Sequence, residues 1–235
     1  MAPCLIKPII GKGDHDFKQR LELMQDLADT GRDSTSCHWR NSARFAMKQE
    51  SVLANGPGGP LIHFLSEKLK PGRIFRSIEQ IDFRSLKAQG IRLVLLDIDN
   101  TLVHHGSHLP DAYARRVVES IQNAGLVPFI VSNAKQSRAR SFAAGLGIDC
   151  IGMANKPSAS GLLRACRQAG IEPSAAVMIG DQLFTDILAA KKAGVLAILV
   201  LPLDSREVWN VAFKRWFEAP FLRQYAKDPT LWPQP

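Results

Sequence analysis

Asp97 and Asp99 stand one residue apart at the end of a wholly apolar run, Leu93-Val-Leu-Leu-Asp97-Ile-Asp99-Asn-Thr101-Leu102. Burying one carboxylate beside another is costly unless a cation or a proton neutralises the pair. Carboxylate oxygens are hard ligands that suit Mg²⁺, and a carboxylate can itself attack phosphorus. Three more polar groups close apolar runs. Ser132-Asn133 follows Leu126–Val131, Lys156-Pro157 follows Cys150-Ile151, and Gly180-Asp181 with Thr185-Asp186 follows Ala176–Ile179. A lysine and a hydroxyl match the oxygens of a phosphoryl group. An acid crowded by other acids can protonate a leaving alcohol and then activate water. The set amounts to the means for cleaving a phosphate ester, with no nucleotide-binding loop needed.

These groups can meet only if the runs before them are strands of one parallel sheet. The expected strands are Leu93–Asp97, Leu126–Ser132, Cys150–Ile151, Ala176–Gly180 and Leu196–Leu201. Helical periodicity fills the intervals at Asp111–Ala124, Gln136–Leu146, Ser158–Ala169 and Thr185–Ala193, and Ile81–Gly90 reads as a further helix. Strands alternating with helices of this length imply right-handed βαβ units. The fold class is therefore α/β, Rossmann-like, a central parallel sheet with helices on both faces. In such sheets ligands bind at the carboxyl ends of the strands, where every candidate residue lies.

The chain has 235 residues, enough for one substantial α/β core plus an extension. Residues 1–59 differ from the rest. They mix acids and bases without strong periodicity and end in Asn55-Gly-Pro-Gly-Gly-Pro60, so they read as a poorly ordered or weakly structured N-terminal extension. A weak helix is expected over about 16–28, and Met47 is an alternative start. Residues 60–235 form the main domain. The formal net charge of +8 suggests an anionic partner. Cys4, Cys37, Cys150 and Cys166 form no C-x-x-C pair and read as free thiols of a reducing compartment. No apolar run approaches the roughly 20 residues that span a bilayer. The expectation is a cytoplasmic protein, peripheral on the inner face of a membrane. Basic, aromatic-bearing segments at Leu61–Arg76 and Val208–Phe217 suit a lipid interface.

In this order, D-x-D-x-T at Asp97–Thr101, S-N at Ser132, K-P at Lys156 and G-D-x-x-x-x-D at Gly180–Asp186 resemble the haloacid dehalogenase superfamily. The resemblance implies roles. Asp97 would be the nucleophile and a Mg²⁺ ligand. Asp99 would be the general acid/base, with its backbone carbonyl on the metal. Thr101 would support the loop beside the substrate. Ser132 would bond phosphoryl oxygens, with Asn133 beside it. Lys156 would neutralise developing charge. Asp181 would bind Mg²⁺, and Asp186 would stand behind it.

Members of that superfamily draw specificity from a cap domain after the first or second motif. The intervals Thr101–Leu126 and Asn133–Lys156 leave no room for one. The stretches Asp97–Val103 and Gly180–Asp186, with Lys70–Leu86 before them, resemble the capless YqeG-type branch, subfamily IIIA, related to the mitochondrial phosphatidylglycerophosphate phosphatases. Ala134, where that branch often has a second Asn, and the loop His104-His105-Gly-Ser-His108 depart from its pattern. The implied function is Mg²⁺-dependent removal of the terminal phosphate of phosphatidylglycerophosphate. The alternatives are a soluble sugar phosphate, a nucleic-acid end or a phosphoprotein as substrate, or a non-catalytic nucleic-acid or ribosome-binding module.

Overall fold

The computed structural model describes residues 65–203, 218 and 220–233. The expected extension 1–59, with Met47, Cys4 and Cys37, lies outside them, as does Val208–Phe217. Six strands, β1 (Arg73–Phe75), β2 (Leu93–Leu96), β3 (Val127–Val131), β4 (Asp149–Ile151), β5 (Ala176–Gly180) and β6 (Leu196–Val200), form one sheet in the order β1-β6-β5-β2-β3-β4. Every pairing is parallel.

Between them run α1 (Phe83–Ala88), α2 (Ala112–Asn123), α3 (Gln136–Ala144), α4 (Ser160–Ala169) and α5 (Leu188–Ala193). The helix α2 shows why they form. Asp111 caps it by accepting from the Ala114 N–H, and Ala114, Val117, Val118 and Ile121 bury one stripe at helical spacing. The backbone turns out at Gly125 with φ +73°, a conformation that glycine adopts without a Cβ penalty.

The strands alternate between two cores. Leu93, Leu95, Phe129, Val131 and Met178 pack against Leu162 and Ala165 of α4 and Ala189 and Ala190 of α5. Val94, Leu96, Ile130 and Ile179 pack against Val117 and Ile121 of α2 and Phe142 of α3. The chain thus winds outward from β2 along one face, then crosses on α4 to the far side of β2 and continues outward to β6. The direction reverses between β2 and β5, the position at which open α/β sheets part to admit a ligand.

Register makes the site edge level. Leu96 sits opposite both Ile130 and Ile179, and the Asp97 N–H donates to the Ile179 carbonyl at 3.1 Å. Segments 97–111 and 132–135 are loops, and among the described residues no cap domain is inserted in either.

Three features depart from the expected elements. The three-residue edge strand β1 is too short to show alternation. A π-helical turn, Leu183–Ile187, precedes α5 where an ordinary helix was expected from Thr185. Residues 220–233 return to the core, where Tyr225 and Trp232 are buried and the Tyr225 hydroxyl donates to the Ser66 carbonyl at 2.6 Å. Among the described residues no helix is long and apolar enough to cross a membrane, and Cys150 and Cys166 are free thiols.

Candidate active site

The loop leaving β2 is wound tightly on its own backbone. Asn100 takes φ +57°, a left-handed conformation that Asn tolerates better than most residues. Its N–H donates to the Val103 carbonyl at 2.7 Å, and the Leu102 N–H donates to Ile98 at 3.0 Å. Ile98 and Leu102 are fully buried, so the flanking carboxylates of Asp97 and Asp99 are held at the sheet edge rather than in free solution.

Lys156 reaches this point from the loop after β4. Asn133 fixes its backbone from both sides: Nδ2 donates to the Lys156 carbonyl at 2.9 Å and Oδ1 accepts from the Lys156 N–H at 2.8 Å. The Lys156 ammonium, itself buried, then donates to Asp97 Oδ1 at 2.8 Å and Asp186 Oδ1 at 2.6 Å. Asp186 is set from its other side by the Gln182 N–H, 3.1 Å from Oδ2, a contact the wide π-helical turn allows. The Thr101 hydroxyl donates to Asp181 Oδ1 at 3.4 Å. Ser132, buried at the end of β3, accepts from the Ala134 N–H at 3.2 Å.

Asp97, Asp181 and Asp186 each bring a carboxylate oxygen to within 4.8 Å of the others, and all three residues are buried. Desolvation drives the Asp97 pKa up to about 6, even though the Lys156 ammonium pulls the other way and Asp186 adds repulsion. Burial alone would depress Lys156, but its two carboxylate partners outweigh that and hold it above the ordinary lysine value. At this edge Asp97, Asp99, Asp181 and Asp186 face Lys156 and Arg138. Two negative charges are left over, which one divalent cation cancels. A buried carboxylate cluster with excess charge is the donor set such an ion takes.

Arg138, in the first turn of α3, was not legible as a site residue. Its guanidinium grips Asp99 with Nη1 on Oδ2 at 2.7 Å and Nη2 on Oδ1 at 2.8 Å. The Gly106 N–H also donates to Asp99 Oδ1, at 2.9 Å, and His105 Nδ1 lies 3.5 Å from the same oxygen. Desolvation raises the Asp99 pKa, but the Arg138 hydrogen bonds, the Gly106 amide and the nearby cations prevail and hold it below the usual carboxylate value. His104, His105 and His108 of that loop are all exposed.

Residues 107–194 match the family model of haloacid dehalogenase-like hydrolases, a span that holds Ser132, Lys156, Asp181 and Asp186. A probable phosphatase, YqeG, of Bacillus subtilis is 33% identical over 154 residues, covering 65% of this chain and 88% of that protein. This chain belongs to the haloacid dehalogenase-like hydrolase family. It is a phosphatase of that family, with the six-stranded parallel sheet and strand-end site described above. A chloroplastic phosphatidylglycerophosphate phosphatase of Chlamydomonas reinhardtii is 28% identical over 159 residues, covering 60% of this chain. An Arabidopsis thaliana protein of the same name, chloroplastic or mitochondrial, is 26% identical over 165 residues, covering 65% of this chain. The chain spans about half the length of these two relatives, 56% and 47%.

This arrangement of Asp186 and Lys156 depends on one absent side chain. A Cβ on Gly180 would lie 2.5 Å from Asp186 Oδ2 and 2.6 Å from its Cβ, and Asp186 is pinned by Lys156 and Gln182. Gly180→Ala is therefore expected to displace Asp186 and with it the Lys156 ammonium. Misplacing a positioning group by about 1 Å costs on the order of 10²-fold in rate. Steady-state kcat of the variant checks this, and a value within twofold of the parent would contradict it.

Proposed function

We propose that this phosphatase cleaves phosphomonoesters through a phosphoryl-aspartate on Asp97, and that its substrate is phosphatidylglycerophosphate, converted to phosphatidylglycerol. The observation that carries the chemistry is the convergence of Asp97, after β2, Lys156, after β4, and the pair Asp181 and Asp186, after β5, from three separate chain segments on the crevice between β2 and β5.

In this reading Asp97 attacks phosphorus and the bond to the leaving oxygen breaks. Asp99, once it has left the Arg138 fork that keeps it ionised and has taken up a proton from solvent, gives that proton to the leaving oxygen. It then takes a proton from water, which attacks the phosphoryl-aspartate, releases inorganic phosphate and restores Asp97. Lys156 and the Ser132 hydroxyl offset charge on the phosphoryl oxygens. Thr101 orients Asp181, and Asn133 orients Lys156. Asp97, Asp181 and the Asp99 backbone carbonyl would hold Mg²⁺, with Asp186 behind them. Bound there, the ion would supply Lewis-acid stabilisation of the transferring phosphoryl group.

The lipid head group is supported by the two named phosphatidylglycerophosphate phosphatases among the relatives. The site edge can face a membrane, and two apolar side chains in loops beside it, Leu109 and Met153, are more than 60% exposed. The net charge of +8 favours an anionic surface. The test is phosphate release in mixed micelles. Phosphatidylglycerophosphate should be cleaved well ahead of soluble sugar phosphates, and chelation should stop the reaction. Equal turnover of the soluble esters would overturn the head-group assignment.

The Asp97 pKa gives the cation requirement a pH signature. Its folded value, about 6, lies above the unfolded value near 4. The stability it contributes is therefore present below about pH 4 and is lost as pH rises through about 6. Asp99 has the opposite sign: its stabilisation is present above about pH 4 and is lost below. Between pH 5 and 7.5 the metal-free protein should lose thermal stability, and Mg²⁺ should restore it. A cation needs the ionised carboxylate, so Mg²⁺ should raise Tm more at pH 7.5 than at pH 5. An equal rise at both would contradict Asp97 as a ligand.

A further inference from the structure

We propose that Arg138 is a specificity-determining residue: its guanidinium takes a second anionic group of the substrate, a phosphodiester near the phosphomonoester, in exchange for Asp99. The inference rests on the reaction proposed above and extends it to how the head group is recognised.

Arg138 lies in the first turn of α3, where exposed N–H groups and the helix dipole disfavour a cation. The helix therefore gains nothing from it there. Its electrostatic partners are the site carboxylates. Asp99 holds its charge most strongly, and Asp97 adds to that effect.

The pair also blocks the acid/base group. Both Asp99 oxygens lie in the guanidinium fork, and the Gly106 N–H also occupies Oδ1. An acid/base group must present an oxygen to the leaving oxygen and then to water. Asp99 must therefore leave the fork during turnover. The backbone of the 104–108 loop does not follow, because Arg138 also binds the Ser107 carbonyl, from Nε at 3.1 Å and Nη2 at 2.8 Å.

Once Asp99 has left, Arg138 lacks an anionic partner. Its side chain is only 16% exposed, so water replaces the lost carboxylate poorly. A phosphodiester offers two oxygens in the geometry of a carboxylate and fits the same fork. In glycerophosphoglycerol phosphate the diester stands three carbons from the monoester, so one molecule can present both. A substrate with the monoester alone leaves the guanidinium with the neutral Ser107 carbonyl and no anionic partner in its fork when Asp99 departs. Sites built around such a pairing reject analogues that lack the group.

The test uses the full chain with Mg²⁺ and two water-soluble esters, so that no membrane contributes: glycerol 3-phosphate and glycerophosphoglycerol phosphate. The parent protein should favour the diester compound in kcat/KM by about tenfold or more. Arg138→Gln should reduce that ratio by about tenfold, largely through KM for the diester compound. Arg138→Lys, which keeps the charge without the fork, should restore part of it. Both esters are assayed on one preparation, so loss of folded protein cancels in the ratio. An unchanged ratio in Arg138→Gln overturns the assignment of Arg138 and leaves the head-group reading standing. Equal efficiency of the parent on both esters overturns second-anion recognition. Cleavage of p-nitrophenyl phosphate with neither glycerol ester accepted overturns this proposal and the head-group reading together.

Discussion

Asp97→Asn should abolish turnover and leave the protein folded. The amide cannot form an acyl phosphate, and loss of a catalytic nucleophile typically costs on the order of 10⁶-fold. The fold should survive because the substitution is isosteric and the Asn carbonyl can still accept from the Lys156 ammonium, which now donates to Asp97 Oδ1 at 2.8 Å. It also removes a carboxylate that burial disfavours, the reason its pKa stands near 6. Metal-free Tm of the variant should therefore lose the decline expected of the parent between pH 5 and 7.5. Rate assays and thermal scans on the same sample check both halves. Residual turnover above about one part in 10³ would show that another group attacks phosphorus.

Lys156→Met should be the most destabilising single change at the site. The ammonium is buried and bridges two buried carboxylates, Asp97 and Asp186. Methionine fills much of the same space but leaves both acids without their shared cation. Breaking a buried ion pair by deleting one partner costs about 3–5 kcal/mol. For a domain of this size that is a fall in Tm of roughly 6–20 °C. The loss should be greatest at pH 7.5 and smaller at pH 5, where the orphaned acids can take up protons. Thermal scans at the two pH values measure it. A Tm within 2 °C of the parent at pH 7.5 would contradict the account of the pair. Catalysis should fall as well, because the same ammonium offsets charge on the phosphoryl oxygens in the proposed reaction.

The parallel sheet was legible because its strands are short, buried on both faces and end abruptly in polar residues. Leu93–Leu96 is buried at every position and Asp97 follows at once. The meeting of Asp97, Lys156, Asp181 and Asp186 followed from those strand ends alone. What escaped the sequence depends on contacts between elements. Arg138 lies 39 residues from Asp99 and looks like any helix-surface base until the two are brought together. Asn133 stands next to Ser132 in the chain, but its side chain serves Lys156, 23 residues away. The edge strand β1 has three residues, too few for a period to register. Residues 220–233 carry a Tyr and a Trp that fill the core, and nothing in their local pattern separates that from a surface helix. Gly180 stood in the sequence only as part of a motif, while its reason is a contact: the Asp186 side chain leaves no room for a Cβ there.

The central claim is that the substrate's phosphoryl group passes through Asp97, and chemical trapping tests it directly. An acyl phosphate is reduced by borohydride, which converts the aspartyl residue to homoserine. The parent protein, quenched with borohydride during turnover with Mg²⁺ and digested for mass spectrometry, should carry homoserine at position 97 and at no other aspartate. Homoserine at a different residue, or none at any aspartate in a sample shown to be turning over, would contradict the account.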